Sequence, residues 1–142
     1  MALPDPKAVA DKLREKLQAD PQTAFIAWGN ASFDPTDPNL PSPHGSVIGS
    51  RVQSAMVYIP RGWESKVTVG VALVVRKMAD QRAAEVQLQT LSREVHRVVL
   101  QNESLDNAVD YADGVSVDLD GVANEGIAWM DMAVTYSVRS EP

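Results

Sequence analysis

Two histidines, His44 and His96, are the only side chains in this 142-residue sequence that ordinarily titrate near neutrality. His44 lies in a proline-rich stretch, and His96 follows the apolar Val95 in a helical pattern. Nucleophilic catalysis through either would need a serine or threonine beside it and a set of oxyanion donors. No G-x-S-x-G turn is present to supply them. Asp118, Asp120, Asn124 and Glu125 in SVDLDGVANEG carry oxygen ligands of the kind calcium takes, but their spacing departs from the EF-hand loop. The stretch reads instead as a hairpin tip rich in Asp, Gly and Asn. Neither G-x-G-x-x-G nor G-x-x-x-x-G-K-[ST] occurs, so no phosphate-cradling loop is expected. The chain has no cysteine, which excludes disulfides, thiolate metal sites and cysteine nucleophiles and fits a reducing compartment. No catalytic residue, cofactor or metal is expected.

Nineteen acidic against thirteen basic side chains give a formal charge of −6, with the bases scattered along the chain. Without a basic stripe and interleaved aromatics, tight nucleic-acid binding is not expected; an acidic surface repels DNA. The opening MALPDPKAVADKLREK lacks the apolar core of a signal peptide, and no segment approaches the roughly 20 apolar residues of a membrane span. The expectation is a soluble, single-domain protein made and used without export.

The elements that would position any site follow from periodicity. Asp5-Pro6 opens a first helix as N-cap and first-turn proline, with Val9, Leu13 and Leu17 on one stripe and Asp20-Pro21 as its end. Thr23 to Trp28 is expected as a strand. Prolines at 35, 38, 41 and 43 then mark a loop without period from Asn30 to about Ser46. Together with Val47 to Val52, an edge or extension of the next strand, it forms a candidate protruding arm over residues 30–53. Ser54 to Ile59 and Ser65 to Val75 pair as a hairpin about the turn Pro60 to Glu64. Val67, Val69, Val71, Leu73 and Val75 make a bulky face, whereas Thr68, Gly70 and Ala72 leave the other face thin.

A helix over Arg82 to Gln101 with Asp80 as N-cap carries Ala84, Leu88, Leu91, Val95, Val98 and Val99 on one side. Val115 to Leu119 and Ile127 to Val138 complete the strands, the last with Ala128, Met130, Met132, Val134, Tyr136 and Val138 facing the core. The order α-β-β-β-α-β-β predicts an α+β fold: a single, mainly antiparallel sheet of about five strands with both helices on one face. The opposite face is smaller and more polar, to be solvated or covered by a neighbouring subunit.

Tryptophans at turns and outer faces point to protein interfaces: Trp63 at the hairpin tip, Trp28 at a strand end and Trp129 on the polar side of the last strand. Local packing would account for each equally well.

The first helix, the variable loop before a hairpin, the V-x-V-x-V strand leading into a long helix (Val67 to Val99) and the closing MDMAVTYSVR (within Ile127 to Arg139) resemble the tail terminator, or tail completion, proteins of long-tailed bacteriophages. The resemblance spans nearly the whole chain and rests on element order and size. It implies a structural, ring-forming virion protein, a homo-oligomer and usually a hexamer, located at the head-proximal end of the tail and assembled in the host cytoplasm. Its expected partners are the tail tube protein and the head-tail connector or neck protein, with DNA passing unbound through an acidic lumen and no membrane involved. A closed ring needs two complementary surfaces per subunit. The candidates are the arm (Phe33, Leu40, Val47, Ile48, Arg51), the turn (Arg61, Trp63, Glu64) and the outer face (Trp129). The alternatives are another tail or neck subunit, such as a tube or connector protein, or a small ligand-binding α+β domain.

Overall fold

A computed structural model describes residues 4–58, 61–76, 80–123 and 127–140 of the chain. The elements run α1 (Pro6–Ala19), β1 (Ala27–Gly29), β2 (His44–Tyr58), β3 (Arg61–Val75), α2 (Gln81–Gln101), β4 (Tyr111–Ala123) and β5 (Ile127–Ser140). They form the expected α+β architecture, a five-stranded sheet ordered β1-β2-β3-β5-β4 in which only β1 and β2 are parallel.

Both helices start as their caps dictate. The Asp5 carboxylate accepts the Lys7 amide at 3.0 Å and the Asp80 carboxylate accepts the Ala83 amide at 2.8 Å, each satisfying an N-terminal donor that the helix cannot. Val9, Leu13 and Leu17 of α1 and Ala84, Leu88, Leu91, Val95, Val98 and Val99 of α2 are buried in one cluster with Val67 to Val75 and Ala128 to Tyr136. Both apolar stripes therefore rest on the same sheet face. Arg97 of α2 ties the helices together with a two-pronged contact to Asp20 at the end of α1, at 2.7 and 3.1 Å. The guanidinium holds the Asp20 carboxyl below the usual carboxylate range.

Three elements differ from expectation. The Thr23 to Trp28 run is mostly a turn, and the strand begins only at Ala27. The Thr23 hydroxyl donates to the Leu17 carbonyl at 2.6 Å and closes the end of α1, while Phe25 is 58 % exposed. Trp28 then donates its indole N–H to the Thr23 carbonyl at 2.9 Å and lays its ring on Gly45, where a Cβ would meet ring carbon at 2.6 Å. Its role is local packing.

Residues Arg61 to Glu64 are strand rather than turn, since β3 pairs with β2 from Arg61↔Tyr58 onward. Pro60 of the expected turn lies outside the described residues. Residues 30–53 do not form a protruding arm. The second half is β2 itself, and the first half folds back on the sheet, where buried Arg76 donates to the Pro35 carbonyl at 3.0 Å and to the Asp37 carbonyl. Ser42 adds a reciprocal pair, its hydroxyl accepting the Arg76 amide at 2.9 Å and donating to the Arg76 carbonyl at 3.0 Å. Prolines 35, 38, 41 and 43 have no N–H to donate to a ladder, so the guanidinium supplies donors to the Pro35 and Asp37 carbonyls.

His44 closes the loop, with its ring edge-on to Phe33 at 4.8 Å and its Nδ1 buried without a partner among the described residues. Burial holds the imidazole pKa below its ordinary value. The unfolded chain takes up a proton near pH 6.5, the folded chain only at lower pH, so stability is complete above that range and falls as pH drops through it. Urea midpoints measured from pH 7.5 to 5 are expected to fall, and His44→Phe is expected to flatten that slope. The carboxylates of Asp20, Asp34, Glu64 and Asp106 are all depressed by hydrogen bonds or cations, and their contribution disappears only at pH below about 4.

After α2 the chain makes a left-handed turn, with Leu105, Asp106 and Asn107 at φ of 46°, 57° and 68°. Non-glycine residues adopt this region at a cost, and two anchors hold them there. Leu105 is fully buried, and Asp106 faces Lys16 at 2.7 Å and Lys12 at 3.5 Å.

Candidate interaction surface

The sheet face opposite the helices is partly covered by the folded-back loop, with Ser46 and Val74 buried, and is open over the small residues of β3 and β5. Along it Ser46, Ala72 and Asp131 form one cross-strand row, and Ile48, Gly70 and Ala133 form the next. Small side chains in the middle of these rows leave a trough of about 540 Å³. Phe33 and Pro35 of the folded-back loop wall it on the β2 side, and Trp129 walls it on β5. The lining is mostly apolar, and among the described residues Asp131 is the single charged one in it. Asp131 is exposed and makes no ion pair or hydrogen bond among the described residues.

Three of the nine residues expected at an interface, Phe33, Ile48 and Trp129, meet in this trough. Val47 does not contribute, because it alternates onto the helix side and is 1 % exposed. Leu40 lies half-buried in a turn closed by its amide on the Asp37 carbonyl. Arg51 stands exposed past a bulge between Gly49 and Arg51 and donates to Gln53 at 3.0 Å.

Arg61, Trp63 and Glu64 belong to the far end of the β2–β3 hairpin and split between its two faces. Trp63 pairs with Met56 and, by alternation, points to the helix side, whereas Glu64 points to the outer side. Glu64 accepts from Lys66 at 2.7 Å and from Ser137 at 3.2 Å, while Lys66 also reaches Asp113 at 2.9 Å. Between two carboxylates the Lys66 ammonium is held charged, its pKa raised above the ordinary lysine range. These charges satisfy one another and form a closed local network.

The trough floor of Gly70, Ala72, Asp131 and Ala133 was not among the expected contact residues, although the thin face of β3 was visible in its alternation. Among the described residues no group of three or more His, Asp or Glu could hold a metal ion. The residues considered for calcium, Asp118, Asp120, Asn124 and Glu125, have side chains outside those described. His96 is exposed on α2 and makes no hydrogen bond or ion pair among the described residues. No described helix is long and apolar enough to cross a membrane. The protein is thus an α+β, two-layer domain with one sheet face left partly uncovered. Neither a protein-family model nor a characterised protein sequence matches the chain.

Proposed function

We propose that this chain is a structural subunit of a long-tailed bacteriophage tail, a terminator that forms a ring, caps the tail tube, ends its polymerisation and joins it to the head or neck connector. The observation that carries this reading is the uncovered part of the sheet face. A layer whose other side packs two helices exposes a trough lined by Phe33, Ile48 and Trp129, the kind of aromatic and aliphatic surface that protein partners cover. The element order, with its hairpin, long helix and closing strand, supports the same assignment through the family resemblance. A net charge of −6 suits a ring whose bore DNA traverses without sticking.

Light scattering of the purified protein is expected to give the mass of a closed oligomer. Negative-stain images of the protein mixed with tail tubes are expected to show rings at one tube end. Fibres formed by the protein alone would assign it to the tube, and a strict monomer that ignores tube ends would overturn the proposal.

A further inference from the structure

The solvent side of α2 carries a second stripe that its packing does not use. Val86, Thr90, Arg93, Arg97 and Leu100 recur at helical spacing, and the apolar ends Val86 and Leu100 are 54 % and 56 % exposed. Arg97 is occupied by Asp20 and Glu94. Arg93 is exposed and has no ion pair among the described residues, and with His96, Leu100 and Gln101 it rims a shallow hollow. This surface is basic and apolar. The trough is apolar and holds one unpaired acid, Asp131, two residues from Trp129 on the same strand face. A carboxylate beside an indole is a favourable seat for a guanidinium, which pairs with the one and stacks on the other.

We infer that the trough is completed by a second copy of this chain, whose α2 lays Arg93 against Asp131 and Trp129 and drops Leu100 onto the small-residue floor. The inference rests on the self-associating reading above and specifies which two surfaces meet. The lengths agree, since Arg93 to Leu100 spans about 10 Å of helix and Trp129 to Ala133 about 14 Å of strand. Position agrees as well. α2 packs on one side of the sheet and the trough opens on the other, so each subunit offers the two halves of the contact on opposite sides. Such a contact is heterologous and repeats from copy to copy until rotation closes it.

Charge reversal tests this pairing. Asp131→Arg and Arg93→Asp are each expected to weaken self-association at least about tenfold, and the double variant to recover to within about threefold of the parent, read by analytical ultracentrifugation. Because the chain has no cysteine, Ala133→Cys and Leu100→Cys proteins mixed and oxidised are expected to cross-link to each other in preference to themselves. That arm leaves the charges intact and stands even if a reversal fails to fold. An oligomer indifferent to both reversals, a double variant as weak as the singles, or no preferential cross-link would overturn this pairing while leaving the ring reading in place. A monomer at every concentration would overturn both.

Discussion

Shortening Leu88 to alanine is expected to lower the free energy of unfolding by about 3 kcal/mol, within the range for a buried leucine that leaves a cavity. Leu88 is fully buried in the middle of the α2 stripe, and the surface it meets is a sheet of Val67 to Val75 and Ala128 to Tyr136. A hydrogen-bonded sheet cannot fold inward to fill the space, so the cavity term adds to the lost transfer free energy. Urea titration followed by far-ultraviolet circular dichroism reads the change as a lower midpoint with an unchanged slope. Val86→Ala, two residues earlier but 54 % exposed, is expected to stay within about 0.5 kcal/mol of the parent. Equal effects from the two substitutions would mean that α2 docks by a different face.

Gly49→Ala is expected to cost up to about 3 kcal/mol, through overpacking. A Cβ at position 49 would stand 2.1 Å from the Pro6 carbonyl oxygen and 2.9 Å from the Lys7 nitrogen. Those are backbone atoms of the first turn of α1, which cannot rotate aside as a side chain could. The helix must lift from the sheet, taking Val9, Leu13 and Leu17 part of the way out of the core. Amide exchange is expected to show α1 losing protection while β3 and β5 keep theirs. Gly70→Ala gives the contrast, because the nearest atom to its Cβ is the Ile48 carbonyl oxygen at 3.8 Å and a strand position gains from losing glycine's freedom. It should be neutral or slightly stabilising.

Where side chains repeat with the period of their element, the fold was legible. Asp5-Pro6 and Asp80 marked both helix starts, and the alternation in β3 and β5 marked the core face from Val67 to Val75 and from Ala128 to Tyr136, although Val74, on the other face, is buried as well. Local cues failed where a distant residue decides the outcome. The proline-rich loop has no period, and what folds it down is Arg76, whose place at the end of β3 reveals nothing about a loop some forty residues earlier. The TAFIAW run looks like a strand by composition, but Thr23 is taken by the end of α1. The trough was half legible. Phe33, Ile48 and Trp129 were visible as candidate contact residues, whereas their meeting depends on strand order, which places β5 beside β3 and leaves Gly70 and Ala72 between the walls.

That strand order also sets a sequence of events in time. β5 follows every other element along the chain, yet it occupies the slot between β3 and β4, pairing Trp63 with Ser140 across more than half the chain. Before residues 127–140 emerge from the ribosome, β4 has no neighbour, one long edge of β3 is open, and α2 has only part of its apolar seat. Such a half-sheet offers unpaired edges to any other nascent copy, and its non-local closure is intrinsically slow. The molecule therefore commits to its fold only once β5 has been made, when a single strand joins the two parts of the sheet.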